Sequence, residues 1–144
     1  MFIGEYRHSI DIKRRLAIPA RFRKDVGQRA VLTRGLDSCL FLYPEAVWQE
    51  VAQRLSTLPT GQSGTRSFVR VMLSGASEVE IDRLGRILVP EYLKTYAGLS
   101  RRVVLTGVGN RLEIWDEARW EEYRKKAEQS TDALAEKLGE VGAY

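Results

Sequence analysis

The chain has 144 residues, of which 44% are hydrophobic and 29% are charged, with a formal net charge of +4. This composition is typical of a globular protein, and the length fits one ordinary domain or two very small ones. A single cysteine, Cys39, excludes an internal disulfide, and its apolar neighbours predict a buried structural thiol. The first thirty residues carry eight Lys or Arg against three acidic residues, which suggests a polyanionic partner, although a solvated surface is the simpler explanation of the charge taken alone.

Several function classes find no support in the sequence. No apolar run approaches the roughly 20 residues that a membrane helix needs, and the N-terminal residues lack the pattern of a signal peptide. Glycine-rich nucleotide motifs and zinc-ligand spacings are absent, and His8 is the only histidine that could act as a base. We therefore predict a cytoplasmic protein with no membrane partner, no cofactor or metal and no enzymatic activity.

The sequence contains one pattern twice, at Asp11–Pro19 and at Asp82–Pro90. Each copy is an aspartate, three residues, an arginine, three apolar residues and a proline, and the offset from 11 to 82 is 71 residues. The similarity continues as far as Tyr43–Trp48 and Trp115–Trp120. Such a repeat indicates one structural unit used twice, and so one surface presented twice. Each repeat is about 45 residues, which is marginal for independent folding, so the halves should share a core.

Both repeats predict the element order ββαββα, which makes an α+β fold that is mainly β. In the first repeat we predict strands at 6–12, 15–18, 30–33 and 39–43, a short helix after Pro19 that ends at Gly27, and a helix from Glu45 to about Leu55. In the second we predict strands at 77–81, 86–89, 103–106 and 112–115, a short helix after Pro90 that ends at Gly98, and a long helix from Glu117 towards Leu138. A Pro/Gly/Ser-rich linker at 56–64 separates the repeats, and residues 65–73 can form a short helix.

The residues between the first two strands of each repeat have the chemistry of a tight turn. Asp11 and Asp82 suit the first position of a turn, and Gly85 tolerates positive φ. Arg14 stands where the second repeat has Gly85. If the two turns share one backbone geometry, Arg14 lies in the left-handed region at a cost of roughly 1–2 kcal/mol.

Basic residues cluster at these turns. The candidates for nucleic-acid contact are Arg7, Lys13, Arg14, Arg15, Arg83 and Arg86. The planar guanidinium of arginine donates two parallel hydrogen bonds to phosphate or guanine, and a two-stranded ribbon fits the major groove of DNA. Two alternatives stay open: each arginine either braces its turn by pairing with the aspartate or faces DNA. For the aspartates, hydrogen bonds to turn amides are the simpler explanation. For Trp48, Trp115 and Trp120, packing in the core or against helices is simpler than stacking on bases.

The doubled Asp-x-x-x-Arg motif, with its apolar triplet and proline, resembles the MraZ family of bacterial transcriptional regulators. The resemblance covers nearly the whole chain and implies two SpoVT/AbrB-like domains, at 5–47 and 76–119. It implies that the repeats form a pseudo-symmetric, swapped-hairpin, double-psi-like barrel with flanking helices. In this family the DNA-facing positions correspond here to Lys13, Arg15 and Arg86, and Asp11, Pro19, Asp82, Gly85 and Pro90 form the structural motif.

The resemblance also implies a function. Proteins of this kind are homo-oligomeric rings that bind direct repeats in double-stranded promoter DNA upstream of the cell-division and cell-wall gene cluster, act as repressors, and associate with the nucleoid. An alternative is a protein-interaction module of the antitoxin type, because AbrB-like folds also occur in antitoxins and the C-terminal segment from Glu117 is acidic and amphipathic.

Overall fold

A computed structural model describes all 144 residues as eight strands and five helices. The strands are β1 (Phe2–Ser9), β2 (Arg15–Ala17), β3 (Arg29–Arg34), β4 (Leu40–Pro44), β5 (Ser77–Glu80), β6 (Arg86–Leu88), β7 (Arg102–Gly109) and β8 (Leu112–Asp116). The helices are α1 (Ala20–Val26), α2 (Glu45–Ser56), α3 (Ser63–Ser74), α4 (Glu91–Tyr96) and α5 (Glu117–Glu140). The predicted order ββαββα is confirmed in both repeats, and the helix expected after the linker is α3.

Two strand predictions were wrong at their ends. β1 begins at Phe2 and stops at Ser9, rather than running over 6–12, and β7 continues to Gly109 instead of ending at Thr106. The two errors have one cause, because β1 and β7 pair along their whole length, with Phe2 opposite Gly109 and Ser9 opposite Arg102. A pairing partner about a hundred residues away extends both strands beyond what the local hydrophobic pattern indicates.

Strands of the two repeats are interleaved. The main sheet has the order β1-β7-β8-β4-β3-β5, and β2 and β6 form a separate two-stranded ribbon. Four pairings, β1 with β7, β3 with β5, β4 with β8 and β2 with β6, join one repeat to the other. The interleaving explains how two very small repeats fold, since each has only a two-stranded hairpin of its own, β3–β4 in the first repeat and β7–β8 in the second.

The closed barrel implied by the resemblance is not present in this pairing. β1 and β5 lie at opposite ends of the main sheet and each has a single hydrogen-bonded neighbour in it. The fold is therefore an α+β structure with an open six-stranded sheet. The physical reason is that β2 and β6 pair with each other, and only an isolated bridge between Ile10 and Leu16 joins this ribbon to the sequence that continues β1.

The main sheet separates two apolar clusters. Because successive side chains of a strand point to opposite faces, Leu40 and Leu42 enter one cluster, and Phe41 and Tyr43 enter the other. The larger cluster has 20 buried residues and lies between the sheet and the layer formed by the ribbon, α1 and α4. The smaller one lies beneath α2, α3 and α5 and contains Cys39 and Trp115. Trp48 and Trp120 are partly buried and pack against it, so all three tryptophans are packing residues, as predicted.

The prolines fix the starts of the short helices. Pro19 and Pro90 occupy the N-cap position, with φ −50° and −56°. We predicted them at the first helical position, which is the next residue in each case. Gly27 ends α1 with φ 80°. After α4 the left-handed residue is Gly98, where the N–H groups of Gly98 and Leu99 donate to the carbonyls of Thr95 and Lys94, the Schellman arrangement. No helix combines the length and the apolar character that crossing a membrane requires.

Candidate nucleic-acid interface

Two tight turns of nearly identical geometry lie next to the ribbon. In the first, which we call turn 1 (residues 11–14), the Asp11 carboxylate accepts hydrogen bonds from the backbone N–H groups of Lys13 at 2.9 Å and Arg15 at 2.8 Å. In turn 2 (residues 82–85), the Asp82 carboxylate accepts the equivalent bonds from Leu84 and Arg86, both at 2.9 Å. Both aspartates therefore satisfy backbone amides of their own turns.

The fourth residue of each turn has a left-handed backbone. Gly85 has φ 77° and Arg14 has φ 63°, so the shared geometry expected from the repeat is present and Arg14 adopts a conformation that L-residues rarely take. The guanidinium of Arg14 lies 3.4 Å from the carbonyl oxygen of Val89, a long contact that cannot offset the backbone strain. Arg14 thus holds a positively charged side chain at a position where glycine would be more stable.

The ribbon connects the two turns across the pseudo-twofold axis. The N–H of Ile18 donates to the carbonyl of Gly85, and that of Val89 donates to the carbonyl of Arg14, both at 2.8 Å. Since Arg14 and Ile18 are four residue steps apart along an extended strand, the ribbon ends at Arg14 and Gly85 lie roughly 13 Å apart, with one turn at each end. Neither turn can move independently of the other repeat.

The ribbon presents its charged side chains on one face. Its central pair, Leu16 opposite Ile87, is buried in the larger cluster. Because side chains alternate along a strand, the residues on either side of this pair point away from the core. Arg15 lies opposite Leu88, and Ala17 lies opposite Arg86. Arg15 and Arg86 are therefore diagonal neighbours on the outward face, with Cβ atoms about 7–8 Å apart.

The two outward arginines differ in their partners. Arg86 donates from Nε to Asp82 Oδ2 at 2.9 Å, so it braces its own turn. The backbone N–H and the guanidinium of Arg86 together lower the pKa of the Asp82 carboxyl. Arg15 has no such ion pair, because Asp11 accepts only the backbone N–H of this residue. Of the two alternatives, pairing within the turn describes Arg86, and the side chain of Arg15 stays available to a ligand.

Other basic residues that sequence reasoning did not select also lie at the turns. Arg23 of α1 donates from Nε to the carbonyl of Ile18 at 2.9 Å, and its guanidinium covers Gly85 of turn 2. Lys94 of α4 stands 71 residues after Arg23 in the sequence and, with Arg101, lines a surface depression beside turn 1. The repeat could have revealed these two residues, since Arg23 and Lys94 are basic residues at equivalent positions of the two copies. Each lies beside the turn of the other repeat, however, and this contact is not visible in the sequence.

Arg7 is not brought to the turns. It forms ion pairs with Glu5 at 3.0 Å, with Glu121 of α5, and more loosely with Glu117 at 4.0 Å. The hydrogen bond to Glu121 raises the pKa of Arg7. Carboxylates on β1 and α5 therefore balance the charge of this arginine, and its ion pairs join α5 to the edge strand β1.

Groups that could serve catalysis are absent from the ribbon. No group of three or more His, Cys, Asp or Glu residues is arranged to hold a metal ion. Burial raises the pKa of the Cys39 thiol, which has no exposed surface, so it is not a nucleophile at neutral pH. A cavity of about 340 Å³ lies elsewhere, between α2 and the β3–β5 edge of the sheet.

Comparison with known proteins assigns the family. A family model described as "MraZ protein, putative antitoxin-like" matches residues 1–71 and again residues 72–140. The chain belongs to the MraZ family. Among its relatives, the transcriptional regulator MraZ of Moorella thermoacetica is 52% identical over 138 residues, which is 96% of either chain. Those of Syntrophomonas wolfei and Desulforamulus reducens are 46% and 49% identical, over 99% and 96% of this chain and 99% and 97% of theirs.

Membership in the MraZ family identifies this chain as a transcriptional regulator with two MraZ repeats, and not as an enzyme. Regulation of transcription implies DNA binding. The resemblance inferred from the doubled motif is thereby confirmed, and the repeat boundary between residues 71 and 72 falls in α3, just after the predicted linker.

Proposed function

We propose that the ribbon and its two turns bind double-stranded DNA, and that the protein represses a promoter by occupying it. The observation that carries the proposal is the outward face of the ribbon, where Arg15 and Arg86 lie side by side between two turns that carry Lys13, Arg14 and Arg83. A two-stranded ribbon fits the major groove, which is about 12 Å wide.

The finer assignments rest on the family resemblance. We propose short direct repeats upstream of the cell-division and cell-wall gene cluster as the DNA sites, with the protein in the cytoplasm at the nucleoid. A homo-oligomeric ring would bring several ribbons to successive repeats. Linked sites raise the effective concentration, so such an assembly gains roughly 10²–10⁴ over one site. The domain limits 5–47 and 76–119 are part of the same proposal.

Individual roles follow from the contacts of each side chain. Arg15, without an internal ion pair, contributes most; Arg86 contributes less, because binding DNA competes with its bond to Asp82. Lys13, Arg14 and Arg83 supply phosphate contacts from the turns. We assign Arg7 a structural role, because three carboxylates already surround it.

The test is DNA binding measured against salt concentration for variants with one charge removed. Arg15→Ala should weaken binding more than Arg86→Ala, and the control Arg70→Ala, an exposed residue on α3, should change it little. Each lost phosphate contact should lower the slope of log K against log salt by about 0.9. A wild-type slope near zero would refute the proposal, and equal losses for the two ribbon arginines would refute the assigned order.

A second candidate is an antitoxin-type interaction module, favoured by the description of the matching family model and by α5. The C-terminal half of this helix exposes Leu134 and Leu138, about half of each side chain, on one face. Deleting residues 128–144 would distinguish the candidates. Loss of a captured protein partner with unchanged DNA binding supports the module, whereas unchanged partner capture excludes α5 as its basis.

A further inference from the structure

The tips of the two turns carry exposed apolar side chains as well as basic ones. Ile12 in turn 1 is 99% exposed and Leu84 in turn 2 is 65% exposed. Turn centres normally hold Gly, Asn, Asp, Ser or Pro, because these residues satisfy turn geometry and stay hydrated. An isoleucine at this position makes no apolar contact within the chain, so its packing does not explain it.

The two tips have the same pair of chemical groups in opposite order. At the two central positions, turn 1 has Ile12 followed by Lys13, whereas turn 2 has Arg83 followed by Leu84. Each tip therefore presents one apolar side chain beside one cation. A ligand of these tips must therefore combine negative charges with apolar groups at specific points. A purely apolar protein surface does not have this combination.

The major groove of DNA has this combination. Its rims are phosphates, and on its floor the 5-methyl group of thymine is the only apolar group that a base presents. Isoleucine and leucine cannot hydrogen-bond to base edges, but they can bury a methyl group from water. We infer that Ile12 and Leu84 contact thymine methyl groups in the bound DNA. This inference rests on the proposed function and adds sequence selectivity to it.

The turns set a lower limit on the spacing of the two contacts. The ends of the ribbon, at Arg14 and Gly85, lie roughly 13 Å apart, and the tips with Ile12 and Leu84 project beyond these ends. The site should therefore contain two thymines at least about four base-pair steps of 3.4 Å apart, one for each tip.

The experiment uses the full chain and a duplex selected by it from a random pool, in which each thymine in turn is replaced by deoxyuridine. This replacement removes only the methyl group. At two positions the wild type should lose about fourfold in affinity, the value expected for one methyl withdrawn from a contact. The Ile12→Ala variant should bind the unmodified duplex more weakly than wild type does, and deoxyuridine at one of these two positions should not lower its affinity further. Leu84→Ala should show the same behaviour at the other position.

Ile3→Ala is the matched control, since Ile3 is half exposed on β1 and lies outside both turns. It should keep wild-type sensitivity at every position. Several outcomes would overturn the inference: no position sensitive to deoxyuridine, equal sensitivity in wild type and Ile12→Ala, or a changed native mass in Ile12→Ala, which would make the tip a contact between copies. If the wild type selects no duplex at all, the proposed function itself fails, a result that differs from binding without methyl sensitivity.

Discussion

The contact between Gly85 and Arg23 predicts a measurable stability effect that links the two repeats. A Cβ atom added at Gly85 would lie 2.2 Å from Cζ and Nε of Arg23, so the guanidinium has to move. Residue 85 also has φ 77°, where an alanine costs roughly 1–2 kcal/mol. Moving Arg23 breaks its hydrogen bond to the carbonyl of Ile18, which contributes about 0.5–1.5 kcal/mol.

Gly85→Ala should therefore lower the free energy of unfolding by about 2–3 kcal/mol. At about 2–4 °C for each kcal/mol in a protein of this size, the midpoint of thermal unfolding should fall by about 4–12 °C. The assay is urea unfolding followed by circular dichroism, with the thermal midpoint as a second measurement. Gly61→Ala is the control, because a Cβ there meets no atom within 4 Å and the backbone φ is not positive.

A double-mutant cycle separates the two causes. In an Arg23→Ala background the steric conflict is absent, so Gly85→Ala should cost only the backbone strain. The reasoning is refuted if Gly85→Ala costs less than about 0.5 kcal/mol, within the range of an ordinary surface change. It is also refuted if the cost is the same with and without Arg23, since the predicted coupling between helix α1 of one repeat and the turn of the other would then be absent.

Three further predictions follow from the turns and the core. Arg14→Gly should raise the free energy of unfolding by about 1 kcal/mol by removing left-handed strain, yet weaken DNA binding; a loss of stability in urea unfolding would contradict it. Because the folded state lowers the pKa of Asp82, this carboxylate stabilises the protein above its unfolded pKa of about 3.9 and loses that effect as the pH falls further. The stability difference between wild type and Asp82→Asn should therefore be largest at neutral pH and shrink below about pH 4, and a difference independent of pH would rule out the ion pair with Arg86. Cys39 should resist iodoacetamide at pH 8 in the native protein and react after denaturation, as read by mass spectrometry; rapid native labelling would show that the thiol is accessible.

The local features of this protein were predictable because they depend on residues close together in the chain. A turn that closes within four residues is specified by the aspartate at its first position, Asp11 or Asp82, and by the left-handed backbone at its fourth position, residue 14 or 85. The short helices begin after prolines and end at glycines for equally local reasons. The family followed from the same residues, since the doubled motif is a property of the sequence itself.

Contacts between distant residues were decided only by the tertiary structure. Nothing near Phe2 indicates that its strand pairs with Gly109, and the end of β1 was therefore misplaced. Nor does the motif show that Asp82 binds the side chain of Arg86 while Asp11 leaves that of Arg15 free. In both copies the arginine follows the aspartate by four residues, and the two copies differ only in the direction of the arginine side chain.

The doubled unit, the aspartate turn in each copy and the basic surface around it all follow from the residues alone. The way in which the copies combine became visible only in three dimensions: an open sheet instead of a closed barrel, a ribbon with one turn at each end, and Arg23 of the first repeat over the turn of the second. The physical reason is that strand pairing and side-chain packing depend on the whole fold, whereas turn geometry depends on a few neighbouring residues.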